Sequence, residues 1–116
     1  MKFTQKLEKI VSKNNSLLCV GLDIDKDKIK ESSFLDFNKK IIDETKELVC
    51  AYKINMAFYE VFGTKGWELL EKTIQEIPKD IIIILDGKRN DIGNTAKKYA
   101  ESAFETLNVD AVTVNP

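Results

Sequence analysis

The central segment of the chain is Ile81-Ile82-Ile83-Ile84-Leu85-Asp86-Gly87-Lys88-Arg89-Asn90-Asp91. Its first five residues are aliphatic with no polar residue between them, which is typical of a strand buried on both faces. Charged side chains begin where this strand ends. Strands buried on both faces occur mainly in parallel sheets that helices cover, so the segment predicts an α/β fold with polar side chains at the carboxyl end of a strand.

Further apolar runs and helical patterns extend this arrangement along the chain. Strands are predicted at residues 17–22, 51–55, 81–85 and 111–114. Apolar residues at helical spacing predict helices within 3–11, 37–42, 67–77 and 96–107, while Gly63 and Gly66 are typical of a loop. The predicted order is α-β-α-β-α-β-α-β, with about thirty residues from one strand to the next, the length of one βα unit.

Two architectures are compatible with this repeat, an open doubly wound sheet and a TIM (β/α)8 barrel. Polar residues at the strand ends favour the barrel, whose enzymes keep their chemistry there. These residues are Asp23 after the first strand, Lys53 and Asn55 on the second, Asp86 and Lys88 at the third, and Asn115 at the fourth. A barrel typically takes about 250 residues. We therefore expect residues 1–116 to be the N-terminal half of a single barrel domain, covering roughly its first four βα units.

Composition excludes several classes of function. Eighteen Lys and Arg against nineteen Asp and Glu give a net charge of -1, so no basic surface is expected to bind nucleic acid. No apolar run approaches the ~20 residues of a membrane span, and a cytoplasmic protein is predicted. Cys19 and Cys50 are expected to be buried, reduced thiols. The absence of histidine from the sequence excludes a Ser-His-Asp triad and histidine zinc sites.

The charged residues of the central segment predict a compact polar cluster. Asp86 and Lys88 are two residues apart, so an extended backbone points both side chains to the same side. Asp91 follows on the next loop, and Lys53 lies on the neighbouring strand. Two carboxylates and two ammonium groups are therefore expected within a few ångströms, where each keeps its neighbours ionised.

Helix capping offers a simpler interpretation of the same residues. Asp86 would cap a helix entrance, Lys88 and Arg89 would be solvated, and Asn90 or Asp91 would cap the following helix. Capping gives no reason for charged residues at the ends of the other strands. A functional site is therefore the better interpretation.

Three segments carry a resemblance to a known family. They are 18–23, 52–55 and 85–95, and they resemble the first three strand ends of orotidine 5′-phosphate decarboxylases. The specific motif is Asp86-x-Lys88-x-x-Asp91-Ile92 followed by Thr95. The resemblance implies a TIM barrel that converts orotidine 5′-monophosphate to uridine 5′-monophosphate without a cofactor or metal.

The resemblance also implies a role for each matching residue. Lys53, Asp86, Lys88 and Asp91 would form the family's alternating charge array, with Lys88 protonating the C6 carbanion. Asp91, Ile92 and Thr95 would reach the active site of the partner subunit in a homodimer. Asp23 and Lys53 would bind the ribose hydroxyls. The role of Asn115 is left open, and the residues that hold the pyrimidine and phosphate would come from later strands.

Three other functions are compatible with parts of the pattern. A sugar-phosphate decarboxylase or synthase of the same superfamily shares the motif but binds Mg²⁺, which Lys53 would repel. A Schiff-base aldolase needs an unprotonated lysine, which flanking carboxylates disfavour. A non-catalytic half barrel is the third alternative.

Overall fold

Helices and strands alternate along the chain, as the sequence predicts. The structure is a computed structural model that describes residues 1–30 and 33–116. The elements are α1 (Phe3–Asn14), β1 (Cys19–Gly21), α2 (Phe34–Thr45), β2 (Ala51–Asn55), α3 (Ala57–Glu60), α4 (Thr64–Glu76), β3 (Ile82–Asp86), α5 (Gly93–Ala100), a π-helical segment (Glu101–Thr106) and β4 (Ala111–Val112). The short helix α3 is an addition to the predicted order.

The four strands form one parallel sheet in the order β1-β2-β3-β4. Each strand pairs with the next one along the chain, whereas a doubly wound sheet reverses its strand order at a switch point. The outer sides of β1 and β4 have no strand partner among residues 1–30 and 33–116. Sequential parallel order is the arrangement of successive strands in a (β/α)8 barrel, and the described sheet is an open section of one.

The two faces of the sheet differ in burial. Tyr52 and Ile54 are fully buried in the core that the helices form against one face. Lys53, which alternates with them on β2, is only partly covered. The prediction that strands are buried on both faces is confirmed for β3. It is wrong for β1, where Cys19 is exposed. The expectation of two buried thiols therefore holds for Cys50 alone, because no described layer covers the second face beside Cys19.

Glycine determines how α4 begins and packs. Gly63 precedes the helix with a φ of 62°, a left-handed conformation that suits glycine. Gly66 lies inside α4, so its assignment to a loop is wrong. A Cβ atom at Gly66 would stand 1.7 Å from the carbonyl oxygen of Tyr59, and this close approach is the reason for a glycine there.

The predicted helix within 96–107 changes type along its length. Its first half is α5, and its second half is the π-helical segment, after which the Leu107 N–H donates to the carbonyl of Ser102 at 2.9 Å. Ala103 and Leu107 are buried, whereas α5 itself has no buried residue. The π-helical end therefore anchors this helix to the sheet.

The amino-terminal helix is tied to the opposite end of the sheet from the charged strand ends. Asp110 accepts hydrogen bonds from the Lys6 ammonium at 2.7 and 2.8 Å and from the Ile83 N–H at 2.9 Å. One carboxylate thus joins α1, β3 and the start of β4. None of the helices described in residues 1–30 and 33–116 is long and apolar enough to span a membrane.

Candidate active site

Asp86 is the centre of the charged cluster at the carboxyl end of the sheet. It is the last residue of β3, and its side chain is 9% exposed. Its Oδ1 lies 2.6 Å from Lys88 Nζ, and its Oδ2 lies 3.3 Å from Lys53 Nζ. The predicted contacts among these three residues are present, and we call Lys53, Asp86 and Lys88 the charge array.

Strand register explains why the two lysines meet at one carboxylate. Asn55 pairs with Asp86 across β2 and β3, so both side chains point to one face, and Lys53 points there too because it is two residues before Asn55. Lys88 follows Asp86 in the loop after β3, and its backbone has a φ of 50°. Gly87 lies between them, and a Cβ there would stand 2.8 Å from Met56 Sδ.

The charge array holds Asp86 ionised. The pKa of Asp86 is lowered to about 2, first by the hydrogen bond from Lys88 and then by one from Thr113, with a smaller contribution from Lys53. Burial acts in the opposite direction and is outweighed. At neutral pH the carboxylate therefore keeps its charge and its hold on both ammonium groups.

Thr113 is a site residue that sequence reasoning missed. Its hydroxyl donates to Asp86 Oδ1 at 2.7 Å and accepts from the Lys88 N–H at 3.2 Å. The available signal was alternation along the fourth strand, since the face that carries a polar residue at 113 adjoins the end of β3. A threonine in a strand is so ordinary that its type gives no warning.

Asp23 and Asn115 stabilise the loops around the array through backbone hydrogen bonds. Asp23 Oδ1 accepts from the Asn55 N–H at 3.1 Å, which places its exposed carboxylate beside the end of β2. The Asn115 N–H donates to Asn90 Oδ1 at 2.9 Å, which joins the end of β4 to the loop after Lys88. Asp23 thus lies at the predicted edge of the sheet.

Asp91, Ile92 and Thr95 lie apart from the charge array. Asp91 Oδ1 accepts from the Ile92 N–H at 2.7 Å, and the carboxylate forms no ion pair among the described residues. All three side chains are exposed, with Ile92 at 82%. Asp91 therefore forms no ion pair with Lys53 or Lys88 among the described residues, and its part in the charge array stays a prediction.

The capping interpretation also fails. Ile92 occupies the N-cap position of α5 with no capping side-chain hydrogen bond. Arg89 pairs with Glu60, and Asn90 binds the backbone of Asn115 rather than a helix end. In the part of the chain that the structure describes, no three His, Cys, Asp or Glu side chains come together as a metal site.

These features define the class of the protein. A parallel sheet of sequential βα units carries a lysine-aspartate-lysine array at the carboxyl ends of its strands, which is the active-site position of TIM-barrel enzymes. The sequence profile of the orotidine 5′-phosphate decarboxylase / HUMPS family matches residues 16–116, and the chain belongs to this family.

Individual relatives agree in sequence and in structure. An orotidine 5′-phosphate decarboxylase of Dehalococcoides mccartyi is 50% identical across the whole of this chain, which corresponds to 43% of that relative. A Toxoplasma gondii structure, 42% identical, superposes with a TM-score of 0.93 over 98% of this chain and 40% of its own. The structure of Leishmania donovani OMP decarboxylase, 39% identical, gives a TM-score of 0.86 over 98% of this chain and 44% of its own. The chain thus spans less than half the length of these relatives.

Proposed function

We propose that residues 1–116 are the N-terminal half of a single (β/α)8 barrel domain that decarboxylates orotidine 5′-monophosphate to uridine 5′-monophosphate. The observation that carries this proposal is the contact between the Lys88 ammonium and the buried Asp86 carboxylate at the end of β3, in a chain of the decarboxylase family. A fixed ammonium at this place is what the reaction requires.

The chemistry explains that requirement. Loss of CO₂ from C6 of the pyrimidine leaves a carbanion whose electron pair lies in the ring plane, where no ring carbonyl delocalises it. Stabilisation must then come from charges already oriented before the bond breaks. The Lys88 ammonium attracts the developing negative charge and donates the proton that replaces the carboxylate on C6. Asp86 orients the Lys88 ammonium through one carboxylate oxygen, and Lys53 pairs with the second oxygen of Asp86.

Substrate binding and subunit contacts extend the site beyond the charge array. Asp23 and Lys53 bind the ribose hydroxyls, at the ends of the two adjacent strands β1 and β2. Asp91, Ile92 and Thr95 reach the active site of a second subunit in a cytoplasmic homodimer. Support for this role comes from their exposure and from the absence of an ion pair to Asp91 among the described residues.

The second candidate is a magnesium-dependent sugar-phosphate enzyme, since the family profile includes both groups. The position of Lys53 argues against it. Its ammonium is 3.3 Å from Asp86 and would repel a divalent cation there. A Schiff-base aldolase needs a lysine that is free to act as a nucleophile, whereas Lys53 and Lys88 both form ion pairs with Asp86.

The activity test uses the complete protein that contains this chain. We expect purified protein to convert orotidine 5′-monophosphate to uridine 5′-monophosphate, followed by ultraviolet absorbance, with the same rate in excess EDTA and in added Mg²⁺. Ribulose 5-phosphate supplied with formaldehyde should give no product, and neither should ketogulonate-type sugar phosphates. Activity that EDTA abolishes and Mg²⁺ restores would assign the protein to the sugar-phosphate group instead.

The shared site is tested by mixing two inactive variants. Lys88→Ala and Asp91→Ala homodimers should each be nearly inactive, whereas a hybrid dimer contains one site with both residues intact. After subunit exchange, a statistical mixture should regain about a quarter of the wild-type activity, because half of the dimers are hybrids with one working site each. No recovery despite proven exchange would place Asp91 outside the partner's site.

A further inference from the structure

Thr113 lies at the point where β4 meets the charge array. Its N–H donates to the carbonyl of Leu85 at 3.1 Å, which continues the pairing of β3 and β4 for one residue beyond β4. This backbone bond holds the Thr113 side chain beside Asp86, the residue that follows Leu85. The position of its hydroxyl is therefore fixed by the sheet rather than by a loop.

The hydroxyl makes two hydrogen bonds that use its donor and one of its acceptor positions. It donates to Asp86 Oδ1 at 2.7 Å and accepts from the Lys88 N–H at 3.2 Å. The same Asp86 Oδ1 accepts from Lys88 Nζ at 2.6 Å. Both ends of Lys88, its backbone N–H and its ammonium, are thus held through one threonine hydroxyl and one carboxylate oxygen.

The backbone conformation of Lys88 explains why a hydrogen bond at its N–H matters. Its φ of 50° is uncommon for a residue other than glycine, and such conformations persist where surrounding contacts stabilise them. The hydrogen bond to Thr113 is such a contact, made at the N–H of the unusual residue itself. The hydrogen bond to Thr113 therefore holds the backbone from which the Lys88 side chain extends toward Asp86.

We propose that Thr113 is a positioning residue that sets where the Lys88 ammonium lies, through the Lys88 N–H and through Asp86. This inference rests on the proposed function, in which Lys88 protonates the product carbanion. The lowered pKa of Asp86 agrees with this proposal, since the hydrogen bond from Thr113 is the second-largest cause of the lowering. The charged groups that face Asp86 are Lys53 from β2 and Lys88 from the loop after β3, and both remain when Thr113 is replaced.

Two substitutions separate the hydroxyl from the shape of the side chain. Thr113→Val keeps the branched shape and removes both hydrogen bonds, while Thr113→Ser keeps the hydroxyl and removes a methyl group. In the complete protein we expect Thr113→Val to lower kcat by about 10- to 100-fold, the loss expected when a hydrogen bond to a charged group is removed, with KM changed less than about threefold. Thr113→Ser should retain kcat within about threefold of the wild type.

A titration of Asp86 provides a readout that does not depend on turnover. Carbon-13 NMR of labelled aspartate should show the pKa of Asp86 rising above its wild-type value in Thr113→Val and staying near the wild-type value in Thr113→Ser. Equal thermal unfolding midpoints for the two variants would show that folding is not the cause.

The outcomes distinguish this inference from the proposed function. If the wild-type protein does not decarboxylate the nucleotide but Asp86 titrates as expected, the proposed function fails and the positioning by Thr113 stands. Unchanged kcat and an unchanged Asp86 titration in Thr113→Val would overturn the inference. A Thr113→Ser variant as impaired as Thr113→Val would also overturn it, because packing of the methyl group would then be what matters.

Discussion

Replacing Asp86 by asparagine removes the charge at the centre of the array with little change in shape. Its folded-state pKa of about 2 lies below the ordinary value of 3.8, and its side chain is only 9% exposed. A difference of this size corresponds to about 2 kcal/mol of folding free energy at neutral pH. We therefore expect Asp86→Asn to lower the free energy of unfolding by about 2 kcal/mol at pH 6.

The pH dependence of this loss follows from the direction of the pKa change. A carboxyl whose pKa is lowered on folding stabilises the folded state above its unfolded pKa, and this contribution is lost as the pH falls through the folded pKa. The difference between wild type and Asp86→Asn should therefore shrink by about 2 kcal/mol between pH 6 and pH 2, with most of the change below pH 4.

Urea unfolding of the complete protein across this pH range measures the effect, with Asp80→Asn as the matched control. Asp80 also has a lowered pKa because of a hydrogen bond from Lys13, but both side chains are largely exposed, at 48% and 67%. The control should differ from wild type by less than about 0.5 kcal/mol at any pH. A stability difference for Asp86→Asn that is constant with pH, or one matched by the control, would refute the assignment of Asp86 as a strongly ionised, buried partner of the lysines.

Two further predictions concern the scaffold. Gly66→Ala should lower the free energy of unfolding by about 3 kcal/mol, because its Cβ would overlap the Tyr59 carbonyl oxygen, whereas Gly93→Ala, with no atom within 4 Å of the new Cβ, should be neutral or slightly stabilising in the same urea experiment. Equal effects would contradict the packing of α4. Asp110→Ala should cost about 2–3 kcal/mol, since it leaves a backbone N–H of β3 and the α1 lysine without their acceptor, while Asp80→Ala should cost less than about 0.5 kcal/mol. Similar losses for both aspartates would show that burial does not decide the strength of these pairs.

The core of the site was predictable from sequence because it depends on local geometry. Asp86 and Lys88 follow a run of aliphatic residues that forms a strand in almost any context, so both are expected at its carboxyl end, where Lys88 Nζ contacts Asp86 Oδ1. Lys88 itself lies beyond the strand with a φ of 50°, so strand alternation does not set the direction of its side chain. Lys53 joins them because adjacent parallel strands in a βα repeat are in register at their carboxyl ends. Each of these steps needs only the strand pattern and the chain order.

The features that the sequence pattern did not predict depend on contacts between distant segments or on the backbone conformation of a loop. Thr113 contacts Asp86 because β3 pairs with β4, which brings together two residues that are 27 positions apart in the sequence. The exposure of Asp91 depends on the loop after β3, in which Lys88 has a left-handed backbone conformation that its residue type does not predict. Cys19 is exposed because its face of the sheet is uncovered among the described residues. An apolar strand pattern does not show which face of a sheet is covered by other elements.

The most direct test of the account is the rate of uridine 5′-monophosphate formation by Lys88→Ala in the complete protein, with Lys13→Ala as the control. Lys13 forms an exposed ion pair at 2.6 Å from Asp80, so its removal should leave the rate unchanged. Removal of the Lys88 ammonium should lower the rate by about 1,000-fold or more, because it supplies both the stabilising charge and the proton. A Lys88→Ala protein that decarboxylates the nucleotide at a rate near that of wild type would contradict the central claim.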